Sequence, residues 1–192
     1  MLCYVLTDLG LEHVWESQNF GSCQDWEVVV RATIQNKEED LWRREINKKP
    51  KLRLYRTIKD KLSRESFLLE MNRDEFRHLV MLRSGTNYLE IEKGRWRHEK
   101  IEERTCMVCL SDSVEDEEHL LLGCPMYASQ RAKMFKEIRE KCFIDLEKED
   151  KKMIVDMLIG SGKEVLAREI RKIVVVYIGR AIKKRNQYVK NV

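Results

Sequence analysis

The chain has 192 residues, 43% hydrophobic and 36% charged, with 37 Lys and Arg against 33 Asp and Glu for a net charge of +4. That length and apolar share suit one ordinary domain or two small helical ones and argue against wholesale disorder. Eight Gly and two Pro argue against a many-turned β fold, and no apolar run reaches the roughly 20 residues that cross a bilayer.

Helical periodicity runs through the chain. Leu9, Leu11, Val14 and Trp15 make a short apolar stripe, predicted to start after Thr7-Asp8. Asn19-Phe20-Gly21-Ser22 reads as a break. From Asp25 a longer helix is expected, with Trp26, Val29, Val30, Ile34, Leu41, Trp42 and Ile46 recurring at threes and fours until Pro50 ends it. The next carries Leu54, Tyr55, Ile58 and Leu62 on one stripe and basic residues on the other, so that 43–64 reads as a basic helical stretch. Asp74 opens another, with Phe76, Leu79, Val80 and Leu82 inward, ending near Ser84-Gly85. The segment 87–100 is short and broken by Gly94. Residues 104–125 hold three of the six cysteines. Helices then follow over 127–142, with Met134, Phe135 and Ile138 inward, and over 146–159 and 163–188, separated by Gly160-Ser-Gly162. The expected fold is mostly α: helical lobes in 1–100 and 129–192 flank a small Cys-rich module at 101–128.

Charge is strongly segregated. Residues 1–42 carry two bases and eight acids, 43–64 ten bases and two acids, and 163–192 nine bases and two acids. Two basic blocks separated by acidic stretches suit contact with a phosphate backbone, and equally describe two solvated helix faces. Met1-Leu-Cys-Tyr-Val-Leu-Thr-Asp8 has no basic lead-in and meets an acid at once, unlike a secretory leader. The expected compartment is intracellular, nucleus or cytoplasm, where cysteines are read as thiols or metal ligands.

The chemistry concentrates in Cys106-Met-Val-Cys109, nine residues, His119, four residues, and Cys124. Two cysteines three apart turn both sulfurs toward one cation, and a second pair brought back by a connector closes a tetrahedron. Three thiolates and an imidazole favour zinc over magnesium or calcium, and four protein ligands leave no position for a reacting water. The expectation is one structural Zn2+ ion. Glu115-Asp-Glu-Glu118 places acids in the first turn of a helix from His119 onward. Gly123 is expected in a left-handed conformation that swings Cys124 to the metal, and Pro125 stops the helix. The bland reading is buried cysteines beside an incidental histidine, or a redox pair at Cys-x-x-Cys.

Cys3, Cys23 and Cys142 have no partner at ligand spacing. Trp15, Trp26 and Trp42 fall on apolar stripes and are assigned to the core, as is His78 beside Leu79. Trp96 differs, because Gly94-Arg-Trp-Arg-His98 sets an aromatic among cations that could stack on an unpaired base. The chain contains no Gly-x-Ser-x-Gly elbow, no phosphate loop and no His-Glu-x-x-His, so an enzyme is not expected.

Glu118-His-Leu-Leu-Leu-Gly-Cys-Pro-Met-Tyr127, preceded by Arg104-Thr-Cys-Met-Val-Cys109, resembles the Cys/His segment near the C-terminus of reverse transcriptases of LINE-type, non-LTR retrotransposons. Leu9-Gly-Leu11 with Val14-Trp-Glu-Ser-Gln18, Leu54-Tyr-Arg-Thr57, Phe76 through Arg83, and Ile91-Glu-Lys-Gly-Arg95 resemble the helical stretch before that knuckle. The resemblance spans roughly 9 to 185. It implies that Cys106, Cys109, His119 and Cys124 are zinc ligands and that the chain helps to hold RNA or target DNA. The family's Tyr/Phe-x-Asp-Asp polymerase motif is missing, since the chain contains no Asp-Asp pair, so polymerase activity is not expected.

The residues expected to meet nucleic acid, single-stranded or read with little sequence preference, are Arg43, Arg44, Lys48, Lys49, Lys51, Arg53, Arg56, Lys59, Arg95, Trp96, Arg97, Lys183, Lys184 and Arg185. The alternative is a protein-interaction or structural module, in which zinc pins the lobes and Ile173-Val-Val-Val-Tyr-Ile178 buries against a second copy, a partner or a reverse-transcriptase core. A relic of the element without a role is the third reading. No membrane association is expected.

Overall fold

The structure, a computed structural model, describes residues 2–19, 21–160, 162 and 165–190. Phe20 in the expected first break, and Ser161 and Lys163 in the expected last turn, lie outside the described residues. The fold is mostly α. Among the described residues the β structure amounts to an isolated antiparallel bridge between Thr105 and Val114. The chain divides into two compact units, Met1–Lys49 and Pro50–Val192.

The first unit contains α1 (Leu2–Asp8), α2 (Glu12–Ser17) and α3 (Cys23–Asn47). Asp8 ends a helix where a helix start was expected. The chain reverses at Gly10, whose φ of 71° suits a residue without a Cβ. The reversal brings Leu6, Leu11 and Val14 into one cluster, with Trp26 and Val30 of α3 against it. Ser22 caps α3 by accepting the Asp25 N–H at 3.1 Å. Trp15, expected in the core, is 46% exposed, because one short helix can turn few residues inward. Arg43 lies over the Trp42 ring, 5.8 Å from its centroid.

The basic stretch 43–64 is not one helix. It comprises the end of α3, a 3-10 turn at Pro50–Leu52, α4 (Arg53–Ile58) and a non-helical segment to Ser66. Lys59 leaves the helix in an extended conformation and turns inward. Its Nζ meets Glu65 at 2.9 Å and donates to the Ser63 carbonyl at 2.7 Å. A buried ion pair thus overrides the continuation that local periodicity predicts.

After α5 (Phe67–Glu70), α6 (Arg73–Arg83) opens with a reciprocal cap. Asn72 Oδ1 accepts the Glu75 N–H at 3.0 Å, and Glu75 Oε2 accepts the Asn72 N–H at 2.9 Å. Leu79 and Leu82 are fully buried. The helix α7 (Glu90–Trp96) runs through Gly94 instead of breaking there. Gly94 serves close approach: an added Cβ would overlap Arg104 Cγ and lie 2.6 Å from Glu99 Oε2.

Helices α8 (Ala128–Cys142), α9 (Lys151–Ile159) and α10 (Val165–Lys190) complete the second unit. Of the expected 146–159 helix, the first part is a 3-10 turn, and α9 begins only where Asp150 accepts the Lys152 and Met153 N–H groups. The central element is α10, packed on α6, α8 and α9. It buries Ile170, Ile173, Val174, Tyr177, Ile178, Ala181 and Ile182, an apolar stripe at threes and fours. The run 173–178, expected as a partner surface, is therefore core except for Val176, which is half exposed. Cys106, Val108, Leu120, Leu121, Cys124 and Tyr127 belong to the same cluster. The Cys-rich segment is thus part of the core of the second unit. No helix among the described residues is long and apolar enough to cross a membrane.

Candidate metal centre

The segment 104–127 is a tight hairpin followed by a bent helical turn. Cys106 N–H donates to the Ser113 carbonyl at 2.9 Å and Glu115 N–H to the Arg104 carbonyl at 2.9 Å, which pairs the two arms. Between them Cys106-Met-Val-Cys109 turns back on itself. Leu110 N–H donates to the Cys106 carbonyl at 3.1 Å, and Leu110 adopts a left-handed φ of 53°. Asp116 then caps the next turn, accepting the His119 N–H at 2.8 Å through Oδ1.

From His119 to Gly123 the backbone forms a π turn, with Cys124 N–H donating to the His119 carbonyl five residues back at 2.6 Å. The spacing of the last two ligands explains it. In an α-helix five residues advance the side chain to about 140° from its starting direction, whereas an i→i+5 turn returns it to the same side. Gly123 does not adopt the left-handed conformation expected of it. Its contribution is space: an ideal Cβ there would lie 3.2 Å from His119 Nδ1.

The four ligand atoms of Cys106, Cys109, His119 and Cys124 all lie within 4.8 Å of one another. His119 Nε2 is 3.4 Å from Cys109 Sγ, so that nitrogen faces the sulfurs while Nδ1 faces Gly123. Cys106 and Cys124 are buried and Cys109 and His119 half-buried. Backbone N–H groups of Val108 and Cys109 point at the Cys106 sulfur, that of Ser111 at Cys109 and that of Met126 at Cys124. Such donors suit sulfur that carries negative charge.

The thiols differ. Burial pushes Cys106 up to about 12, against the pull of those N–H groups, and pushes Cys124 up as well. At Cys109 burial also acts upward, but the Ser111 hydroxyl and N–H, Cys106 and His119 outweigh it and bring the thiol down to about 6. A cation among the sulfurs would relieve the burial cost of all three. The quartet can hold one metal ion. All six cysteines are free of disulfides.

The module is tied to the helices around it by charge. Arg185 of α10 donates to both oxygens of Glu115, and to Glu90 at 3.2 Å. Tyr177 Oη donates to the Leu120 carbonyl at 2.6 Å, and Lys184 Nζ to the Met126 carbonyl at 2.8 Å. Glu117 pairs with Arg53 and accepts from Asn87 at 3.1 Å. Glu115 and Glu117, expected as first-turn acids, are both 2% exposed and serve as buried ion-pair partners instead.

These pairs change the set of residues expected at nucleic acid. Lys59 and Arg185 are 4% and 1% exposed and satisfy buried carboxylates, so neither can reach a phosphate without unfolding its surroundings. Arg53 is two-thirds covered and engaged by Glu117. Arg95 pairs with Glu92 at 3.0 Å and lies over the Trp96 ring at 4.8 Å. Arg97, half exposed, is held between Glu90 at 2.6 Å and Glu99 at 2.5 Å. Trp96 itself is 74% exposed. Arg43, Arg44, Lys48 and Lys49 are exposed on the first unit. Arg43 pairs with Glu39 at 2.8 Å, Lys48 with Glu45 at 2.8 Å, and Arg44 Nε meets the Asp40 carbonyl at 3.4 Å. Lys51, Arg56 and Lys183 are exposed on the second unit, where Lys184 is half-buried.

No family model, curated protein or solved structure matches this chain.

Proposed function

We propose that the chain is a zinc-stabilised nucleic-acid-binding module, akin to the C-terminal region of a non-LTR retrotransposon reverse transcriptase and without polymerase activity of its own. The convergence of Cys106, Cys109, His119 and Cys124 carries this reading. A tetrahedral zinc with bonds to sulfur of about 2.3 Å sets its thiolates about 3.8 Å apart, within the spread of the quartet. Three soft sulfurs and one imidazole suit zinc, and full protein ligation makes its role structural. The ion would clamp the hairpin to the π turn, and the ion pairs of Glu115 and Glu117 would pass that rigidity to α10 and α4.

Nucleic acid would be held through phosphates, with Trp96 available to stack on an unpaired base. Binding to single-stranded RNA or DNA, followed against salt, tests this. For about six phosphates engaged, log K should fall with log salt at a slope of about −4. A flat response would contradict it.

One observation favours a second reading, a protein-interaction module. On α3, Val28, Val29, Ile34 and Leu41 are exposed, the first at 67%. Sedimentation separates the two: a concentration-dependent assembly without nucleic-acid binding supports the second.

A further inference from the structure

Most arginines of the second unit are consumed by carboxylates. Several exposed cations are not, and three of these, on α6 and α10, border the same groove. Between the start of α6 and the middle of α10 lies a surface cavity of about 720 Å3, bordered by Arg73, Arg180 and Lys183. None of the three has a hydrogen-bond or ion-pair partner among the described residues, in contrast to Arg53, Arg83, Arg97, Arg171 and Arg185. The floor is apolar, formed by Val175 and the half-exposed Val176. Gly179 carries no side chain into the groove, and the His78 ring lies beside it, 3.6 Å from where a Cβ would be. His78 Nδ1 is buried and has no hydrogen-bond partner.

Two acids also border the groove. Glu75 is turned to the helix cap, where its Oε2 holds the Asn72 N–H, and Asp74 is left against three cations. The balance is positive. A polar nitrogen without a partner, flexible cations on both walls and an apolar floor fit a ligand that carries oxyanions on one edge and an apolar body on the other.

We propose that this groove seats the phosphodiester backbone of a single-stranded nucleic acid, with phosphates on Arg73, Arg180 and Lys183 and a sugar over Val175 and Val176. This deepens the proposed function and rests on it: it moves the contact from the basic block at 43–64 to the α6–α10 groove. Arg73, His78 and Arg180 then join Lys183 as binding residues. No new bond forms and no proton need move; the ligand exchanges condensed counterions for fixed cations.

The test uses the full chain with its metal. The triple variant Arg73→Gln, Arg180→Gln, Lys183→Gln removes three exposed, unpaired charges, so helicity and metal content should not change. The control Arg31→Gln, Lys136→Gln, Lys141→Gln removes the same charge from helix surfaces elsewhere. Binding of a twelve-nucleotide oligothymidylate is followed against salt, and the His78 ring resonances are followed during the titration. The expected result is a salt slope shallower by about 2 and an affinity on the order of tenfold lower for the groove variant alone, with His78 shifting in the wild type. Equal losses in groove and control variants, or a silent His78, would overturn the groove while leaving the module reading intact. No salt-dependent binding by the wild type would overturn the proposed function. If His78 then responded to tripolyphosphate alone, the groove would be a small-phosphate site and the assigned occupant wrong.

Discussion

Arg185 of α10 and Glu115 of the metal hairpin form a two-pronged ion pair, 2.7 Å from Nε to Oε1 and 2.6 Å from Nη2 to Oε2, with side chains only 1% and 2% exposed. The pair joins residues 70 apart in the chain. Because Glu115 Oε2 also accepts the Glu90 N–H at 2.9 Å, one carboxylate orients α10, the hairpin and the start of α7 together.

Removing one partner of so buried a pair leaves the other charge without compensation. Arg185→Gln should therefore destabilise the chain by about 3–5 kcal/mol. Lys183→Gln, two residues away but exposed, should change stability by less than about 0.5 kcal/mol. Urea denaturation of the two variants checks this. Similar small effects would mean that the pair is solvated in solution.

Metal removal should reach beyond the hairpin. Cys106 and Cys124 share a core with Leu79, Ile138, Val174 and Ile178. Chelation should loosen 104–127 first and then lower the unfolding midpoint of α8 and α10, while most far-UV helical signal survives at low temperature. Hydrogen exchange by segment reads this directly. Faster exchange confined to 104–127, with α10 unmoved, would contradict the shared core.

Gly94→Ala should destabilise by about 1–3 kcal/mol even though alanine is the better helix former, because the new methyl would displace Arg104. Arg104 donates to the Ile91 carbonyl at 2.8 Å and to the Glu99 carbonyl at 2.7 Å, so its displacement would free two acceptors. Thermal unfolding decides it, and a stabilised variant would show that Arg104 yields freely.

What the sequence discloses and what it conceals follow from distance along the chain. The quartet was legible because its ligands fall within nineteen residues and ligand spacing is a local constraint. The α6 helix was legible too, although Asn72 rather than Asp74 caps it. The fates of Arg53, Lys59 and Arg185 were not, since a basic residue looks the same whether it meets solvent or a buried acid. For Arg53 and Arg185 those acids are 64 and 70 residues away. Gly94 read as a breaker for the same reason, because Arg104 reaches it only once the hairpin has folded back. The π turn is not legible in periodicity, which assumes α geometry, although the four-residue gap between His119 and Cys124 is its signal.

His78 offers a pH-dependent prediction. Burial, and then the Arg77 charge, hold its imidazole below the ordinary value of 6.5. Arg73, Arg180 and Lys183 border the same groove, with Asp74 and Glu75 opposing them. Below pH 6.5 the unfolded chain takes up this proton before the folded one, so the His78 contribution to stability is complete above 6.5 and is lost as pH falls through the lowered value. The stability difference between wild type and His78→Gln should therefore rise with pH across that window, and the His78 ring should titrate below 6.5 by NMR. A midpoint above 6.5 would show that a nearby carboxylate outweighs burial and the Arg77 charge.

The metal content of the purified chain tests the central claim most directly, measured beside the double variant Cys106→Ser, Cys109→Ser. One zinc per chain in the wild type and none in the variant is the predicted result. Absence of metal from the wild type, or the same stoichiometry in the variant, would contradict the assignment of Cys106, Cys109, His119 and Cys124 as the ligands.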